Sequence, residues 1–147
     1  MKAIIALLLI GFTLSYDRKA ALDYAKKYCR SYNSAYNNYK GKGGDCANFV
    51  SQCLKAGGLK ISNCGGWLDS KGCLPAVDDL KACLQKKGWH HSTKKPDGFK
   101  AGHVLFSTTH SHAMLASYVS GNKIRVYGHT NDRCDEDVGN DFEYYYD

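Results

Sequence analysis

Apolar residues recur at three- and four-residue spacing in three segments of the N-terminal half, and this spacing predicts helices. The first predicted helix covers Asp17 to Tyr36, the second runs from Cys46 to the Gly57-Gly58 pair, and the third follows Pro75. Asp45 stands directly before the second helix, and we expect its side chain to cap that helix. The segments between these helices are rich in glycine and asparagine, which is typical of loops.

The C-terminal half changes to the alternating pattern of strands. Three strands are predicted in the segments HVLFS, HAMLASYV and KIRVYGH, and residues 120–122 join the last two as a hairpin turn. The C-terminal segment FEYYYD is expected to add an edge strand. The residues between the third helix and the first strand, which include His90 and His91, are interpreted as a polar linker. Helices followed by an antiparallel meander predict a fold of the α+β class.

The first fifteen residues, MKAIIALLLIGFTLS, have the pattern of a secretory signal peptide. One positive charge, on Lys2, precedes an apolar run that is shorter than the roughly 20 residues that a membrane-spanning helix needs. We therefore expect residues 1–15 to be a leader and residues 16–147 to be one exported domain without a transmembrane segment. The expected location is the extracellular space or the lumen of a digestive vacuole, and we expect a monomer.

The chain is basic, with a formal net charge of +6. Its Lys and Arg residues are spread among acidic ones from Arg18 to Arg133 and form no dense block, which argues against a nucleic-acid partner. An anionic cell-envelope polymer or membrane surface is the partner that fits an exported basic protein.

Seven cysteines in an exported domain of this size indicate disulfides, and an odd number leaves at least one thiol without a partner in the chain. Cys46 is the best candidate for that thiol, because it follows Gly43, Gly44 and Asp45 at the start of a predicted helix. A helix N-terminus favours a thiolate with a depressed pKa and offers backbone N–H groups to an oxyanion. The other six cysteines are predicted to form three bridges whose pairing the sequence leaves open: Cys29, Cys53, Cys64, Cys73, Cys83 and Cys134.

A cysteine nucleophile needs a base, and histidine on another element is the usual one. His112 opens one predicted strand and His129 closes the next, so an antiparallel hairpin is expected to make them neighbours. One would then act as the base and the other would orient it, although two half-buried strand histidines without a catalytic role fit the spacing equally well. His110 belongs to the turn between strands, and His103 begins a strand without an evident partner.

Metal binding is the weaker alternative for these residues. The chain has no CxxC pair, and HSH with distant cysteines is not a known zinc-ligand spacing. The aromatic residues, which include eleven tyrosines, are explained mainly by core packing, with a sugar-binding groove as the other interpretation. We expect neither a metal nor another cofactor.

The chain resembles an amidase family within the NlpC-type papain-like cell-wall peptidases. Three segments carry the resemblance: GDCANFVSQCLKAGG, SHAMLAS and GHTNDR. The resemblance covers nearly all of residues 16–133. It implies a papain-like NlpC-type fold, in which N-terminal helices, including the nucleophile helix, pack on an antiparallel sheet. Transferred by motif, the nucleophile is Cys46, the base is His112, and the third group is His129, with Asn131 in reserve. Gly44, Asp45 and Cys46 are the implied oxyanion and substrate-binding positions.

One position departs from the family pattern. Gly102-His103-Val104 stands where the family usually has Gly-Asp-Val, which predicts the loss of a local turn cap without an effect on catalysis.

The expected function is hydrolysis of amide bonds in the peptide stems of bacterial peptidoglycan through a thioacyl-enzyme. Two alternatives stay open at this stage: a non-catalytic, disulfide-rich binding or toxin module, and an acyltransferase that uses the same cysteine and histidine.

Overall fold

Three helices precede six strands in the computed structural model, which describes residues 15–147. The helices are α1 (Arg18–Tyr28), α2 (Cys46–Ala56) and α3 (Val77–Lys86). The strands are β1 (His90–Ser92), β2 (Val104–Ser107), β3 (Ala113–Ser120), β4 (Lys123–Gly128), β5 (Arg133–Val138) and β6 (Phe142–Tyr146). The predicted α+β class is confirmed.

The helix α1 is shorter than the sequence pattern predicts. Asp17 caps its N-terminus by accepting a hydrogen bond from the backbone N–H of Ala20, and the helix ends at Tyr28 rather than at Tyr36. Beyond it the side chain of Asn33 accepts a hydrogen bond from the backbone N–H of Ala35. Such a local turn competes with helix formation, and the aromatic spacing alone does not reveal it.

All strand pairs are antiparallel, and the sheet order is β1-β6-β2-β3-β4-β5. The three predicted meander strands are present as β2, β3 and β4. The C-terminal strand β6 was expected at an edge, but it lies between β1 and β2. The prediction failed because β1, which forms from His90 to Ser92, has no strand signal of its own and was interpreted as linker. The strand β5, which contains Cys134, was likewise not among the predicted strands.

The sheet is strongly curled. Strands β5 and β6 are separated by three other strands, which in a flat sheet would place them about 19 Å apart. Residues 139–141 nevertheless join them, and a connection of that length reaches at most about 14 Å. The sheet therefore bends round so that its two ends approach each other.

The curled sheet separates two apolar clusters because successive residues of a strand point to opposite faces. On one face Ala113 and Leu115 of β3 pack with the helices, including Phe49 of α2. On the other face Met114 and Ala116 pack with residues such as Phe99, Val126, Phe142 and Tyr144. This alternation decides below which histidines reach which side of the sheet.

Two disulfides are present in the described residues rather than the three expected. Cys29 at the end of α1 is bonded to Cys134 of β5, and Cys64 is bonded to Cys83 of α3. Cys53 and Cys73 are buried free thiols, as is Cys46. The odd cysteine count could not distinguish one free thiol from three.

The candidate leader lies almost wholly outside the described residues, so the prediction for residues 1–15 stays a prediction. Within residues 15–147, no helix is both long and apolar enough to cross a membrane.

Candidate active site

Cys46 is the first residue of α2 and its side chain is almost buried, with 6% of the residue exposed. It lies in a surface groove of about 260 Å³, whose lining includes Gly43, Gly44 and Ser111 and, from the start of α3, residues 75–78. The two glycines come just before the helix and carry no side chain, so a substrate backbone can approach the thiol closely.

Backbone N–H groups of Ala113, Ala47 and Cys46 itself point toward the Cys46 sulfur and lower the pKa of its thiol. Burial outweighs them, and the carboxylate of Asp45 adds to its effect, so the net pKa of Cys46 is raised. The depressed pKa expected from the helix N-terminus is therefore wrong for the unliganded protein. The helix start supplies hydrogen-bond donors, but desolvation is the larger effect.

His112 directly precedes β3 and is half-buried. It lines a second groove, of about 340 Å³, together with Met114, Arg133 and Phe142. Burial lowers the pKa of His112, and the positive charges of Arg133 and His110 lower it further. The ring is therefore neutral near pH 7 and able to accept a proton.

Cys46 and His112 line two different grooves, and the beginning of β3 links them. The sulfur lies against the backbone N–H of Ala113, the residue that follows His112 in the chain. No hydrogen bond joins the thiol to the imidazole in the part of the chain that the structure describes. In enzymes of this chemistry such bonds are often long without substrate and tighten when it binds.

His129 lies on the other side of the sheet from the His112 groove. It is 1% exposed, and its ring is stacked on Phe49 at 3.9 Å and packs against Tyr32 at 4.3 Å between centroids. Its Nδ1 is 2.7 Å from Oδ2 of Asp45, and its Nε2 is 2.7 Å from the backbone oxygen of Tyr28.

The expectation that His112 and His129 stand side by side is therefore corrected. The paired register of β3 and β4 includes Leu115 with Tyr127, and continuing it brings His129 opposite Ala113 rather than opposite His112. The ring of His129 is stacked on Phe49 of α2, whereas His112 lines the groove with Met114, so the two rings have different surroundings. Both ring nitrogens of His129 are engaged elsewhere.

The hydrogen-bond partners of His129 indicate where the hydrogens of the Asp45–His129 pair lie. Nε2 of His129 faces a carbonyl oxygen, which only accepts, so Nε2 must carry a hydrogen. Nδ1 faces a carboxylate oxygen, so a second hydrogen lies between Nδ1 and Oδ2. The pair is a buried, charge-assisted hydrogen bond directly before the nucleophile candidate.

The sequence analysis expected the side chain of Asp45 to cap α2. In the structure this side chain makes no capping hydrogen bond to the helix. Its Oδ1 accepts hydrogen bonds from the backbone N–H of Tyr39 and from Nδ2 of Asn48, both at 2.9 Å. With Oδ2 bound to His129, the fully buried carboxylate ties together the loop before α2, the first turn of α2 and the end of β4.

Two of the three predicted oxyanion positions have their backbone donors occupied. The N–H of Gly44 donates to the carbonyl of Tyr39, and that of Asp45 donates to Oγ1 of Thr130 at 3.0 Å. The N–H groups near the sulfur belong to Cys46, Ala47 and Ala113. Of the three predicted positions, only Cys46 still offers a backbone donor near the sulfur. Gly44 lines the groove, and the N–H of Asp45 is bonded to Thr130.

The reserve residue Asn131 is exposed and has a positive φ of 74°. Its side chain makes no hydrogen bond within residues 15–147. Its neighbour Thr130, which also has a positive φ, makes the contact to Asp45.

His103 has partners that the sequence did not reveal. Its Nδ1 accepts a hydrogen bond from the backbone N–H of Lys100 at 3.0 Å, and its Nε2 is 2.7 Å from the carboxylate of Asp147. The imidazole thus takes the acceptor role of the aspartate that the family pattern has here, and the turn cap is kept. Among the described residues, no group of three or more His, Cys, Asp or Glu side chains is arranged to hold a metal ion.

Sequence reasoning missed Arg133 and the buried role of Asp45. Asp45 belongs to the motif GDC and His129 to the motif HTND. Their presence in these two motifs was the signal that could have pointed to a role for the pair. Arg133 ends the motif GHTNDR, but its place in the groove beside His112 depends on the register that pairs it with Gly128 of β4, which the sequence does not reveal.

The profile of the family described as "Putative amidase domain" matches residues 15–144. The chain belongs to this family. The match covers both grooves and the elements that build them, so a hydrolase acting on amides is the class of protein that the family indicates. The likeness to an amidase family is thereby confirmed, whereas membership of the NlpC-type superfamily remains a proposal.

Two proteins of Bacillus subtilis (strain 168) are similar to parts of the chain. "Uncharacterized protein YhbB" is 46% identical over 51 residues, which are 35% of this chain and 15% of YhbB. "Uncharacterized protein YjcM" is 52% identical over 42 residues, which are 29% of this chain and 10% of YjcM. The matched segments span less than a fifth of either relative, and neither name states an activity. No solved structure matches the chain.

Proposed function

We propose that the protein is a secreted cysteine amidase or endopeptidase that hydrolyses amide bonds in the peptide stems of bacterial peptidoglycan, on a papain-like NlpC-type fold. Family membership supports amide hydrolysis. The observation that carries the cysteine mechanism is the position of Cys46. Of the three free thiols in residues 15–147, it opens on a groove and lies among backbone donors, whereas Cys53 and Cys73 are completely buried.

In the first half of the reaction, neutral His112 removes the proton of the Cys46 thiol as the sulfur attacks the amide carbonyl. The N–H groups of Cys46 and Ala113 lie close enough to the sulfur to stabilise the developing oxyanion. His112, now an imidazolium, gives its proton to the departing amine as the C–N bond breaks. The acyl group remains on the sulfur as a thioester.

In the second half, a water molecule replaces the amine. His112 accepts a proton from the water, whose oxygen attacks the thioester carbonyl, and the tetrahedral intermediate collapses to a carboxylic acid. The proton returns to the Cys46 sulfur. One amide and one water are thus converted to one acid and one amine, and neither a metal nor an oxidant is required.

The buried pair of Asp45 and His129 has a positioning role in this proposal. It holds the residue before Cys46 against β4 and Tyr28, and so keeps the start of α2 beside the N–H of Ala113. His129 was transferred from the motif as the group that orients His112, with Asn131 in reserve. We assign His129 instead to orienting the nucleophile loop, because both of its ring nitrogens are already bonded there.

The substrate class follows from charge and from the groove. The secreted form, without Lys2 of the leader, has one positive charge fewer than the +6 of the full chain and is still basic, which favours an anionic envelope where the enzyme would concentrate. Gly43 and Gly44 leave room at the Cys46 groove for an extended peptide backbone. Export is supported by the leader pattern of residues 1–15.

Digestion of purified peptidoglycan tests this function. Wild-type protein is expected to release new amino groups and shortened muropeptides, and Cys46→Ala is expected to release none. Cys73→Ala is the matched control, because it removes a buried free thiol away from the groove and should keep activity. Equal, background release by wild type and Cys46→Ala would contradict wall hydrolysis and favour a binding or toxin module. Mass spectra showing acyl groups moved to an added amine would indicate an acyltransferase.

A further inference from the structure

Among the residues that the structure describes, Arg133 differs from the other arginines in having no hydrogen-bond or ion-pair partner. Arg18 donates to the carbonyl of Ala101, and Arg30 and Arg125 form ion pairs with Glu136 and Asp135. Within residues 15–147, the side chain of Arg133 makes neither an ion pair nor a hydrogen bond. It is half-buried at the start of β5, where its charge is less well solvated than that of an exposed arginine.

Arg133 lies in an open groove on the protein surface. Met114 and Phe142 give the groove apolar lining from two other strands, and His112 lies in the same groove. Two carboxylates also line it. Asp137 is exposed and lies 3.8 Å from Nζ of Lys123, Asp141 is exposed, and within residues 15–147 neither forms an ion pair with Arg133.

We propose that Arg133 is a specificity-determining residue that binds a free carboxylate of the peptide substrate beside the amide that is cleaved. This inference rests on the proposed function and narrows its substrate class to peptides that carry a carboxylate near the scissile bond, in preference to fully amidated ones. A guanidinium binds a carboxylate through two parallel N–H···O hydrogen bonds, which fix orientation as well as charge.

The position of the groove explains how such binding would serve catalysis. His112 must be neutral to take the thiol proton and must then hold that proton until the amine departs. The charge of Arg133 lowers the pKa of His112 in the free protein. A bound carboxylate offsets that charge, so the imidazolium is stabilised only when a matching substrate is in place.

A titration of the inactive Cys46→Ala protein by NMR tests the inference without turnover. The probes are N-acetyl-alanyl-glutamate and its uncharged diamide. The dipeptide acid is expected to bind and to raise the pKa of His112, the diamide is expected to bind at least tenfold more weakly, and Arg133→Gln should abolish the difference. Arg30→Gln, which removes an equal charge from an exposed site paired with β5, should leave it unchanged. Equal binding of both probes, no binding of the acid, or an unaltered response in Arg133→Gln would overturn the inference.

Hydrolysis of stem peptides separates this inference from the proposed function. For peptides with free carboxylates, Arg133→Gln is expected to raise KM at least tenfold, with Arg133→Lys intermediate, and to leave amidated peptides unaffected. If wild type cleaves neither peptide while the NMR response is present, hydrolysis of stems is wrong and anion binding by Arg133 stands. If cleavage is seen but does not distinguish the peptides, the specificity role is wrong and the amidase stands.

Discussion

Cys46 and His112 are both withdrawn from water, and burial shifts their pKa values in opposite directions. Desolvation penalises the charged form of each group, so it raises the pKa of the thiol and lowers the pKa of the imidazole. Both groups are neutral near pH 7 as a result. In the proposed mechanism, the thiolate of Cys46 is therefore generated during attack by proton transfer to His112, and it is not stored as a thiolate–imidazolium pair.

Alkylation of the native protein follows from this state of Cys46. Iodoacetamide reacts with the thiolate, so the rate at Cys46 is expected to rise through alkaline pH with a midpoint above that of an ordinary cysteine. The measurement is the pH dependence of label incorporation by mass spectrometry, with the urea-unfolded protein as control. A rate that has already reached its plateau at about pH 7 would show a preformed thiolate and contradict this reading.

The buried pair of Asp45 and His129 makes a prediction about stability. His129→Ala leaves the Asp45 carboxylate buried without its charge-assisted partner, and we expect the free energy of unfolding to fall by about 3–5 kcal/mol. Urea unfolding measures this loss.

Asn131→Ala is the control for His129→Ala, because its exposed side chain makes no hydrogen bond within residues 15–147, and the expected change is within about 0.5 kcal/mol. A loss below about 1 kcal/mol for His129→Ala would mean that the pair contributes little to holding the nucleophile loop.

At the scale of elements, the loop before α2 is shaped by its backbone as much as by its side chains. Gly43 and Gly44 have φ values of +97° and +106°, a region that residues with a Cβ rarely adopt. A Cβ at Gly43 would meet nothing within 4 Å, whereas a Cβ at Gly44 would lie 3.1 Å from Oγ1 of Thr130, in the turn between β4 and β5. That hydroxyl accepts the N–H of Asp45, so a side chain at position 44 would disturb the contact that anchors the loop.

This pair of glycines offers a matched comparison. Both Gly43→Ala and Gly44→Ala are expected to lose about 1–3 kcal/mol of unfolding free energy through backbone strain. Gly44→Ala should in addition reduce the turnover number severalfold by displacing Thr130 and Asp45. Urea unfolding and amidase assays measure the two effects. Equal activity of the two variants would show that the Thr130 contact does not position Cys46.

The strand pattern shows how far the elements themselves were predictable. Strands β2, β3 and β4 follow from alternation in the sequence, and α2 follows from helical spacing that begins at Cys46. Strand β1 was not predicted, because its three residues have no strand pattern of their own and form a strand by pairing with β6. The different surroundings of His112 and His129 could not be predicted without the register of β3 and β4, because an error of one residue in the register moves a side chain to the other face of the sheet.

For the whole molecule, the cysteines divide into four in bridges and three free thiols within residues 15–147. The Cys29–Cys134 bond joins α1 to β5 across a sequence separation of 105, close to the groove that Arg133 lines from the same strand. Cys53 and Cys73 are fully buried, and burial raises the pKa of Cys73 to about 12 and that of Cys53 well above its usual range.

Counting labels tests this division. The native, unreduced protein should take up one alkyl group, at Cys46, because the other two thiols are buried and protonated. Unfolding without reduction should give three labels, and reduction should give seven. Intact mass and peptide mapping measure these counts. A single label after unfolding would reveal a third bridge between Cys53 and Cys73, as the cysteine count first suggested.

The sequence by itself determined the α+β class, the helix that begins at Cys46 and the central strands, and it placed Cys46, His112 and His129 in recognisable motifs. These depend on local spacing and on short motifs, which neighbouring residues in the chain specify. The tertiary structure decided the thiol count, the central place of β6, the bond between Asp45 and His129 and the proximity of Arg133 to His112. Each of these depends on contacts between residues far apart in the chain, which form only when strands pair and helices pack on the sheet, and local periodicity does not determine those distances.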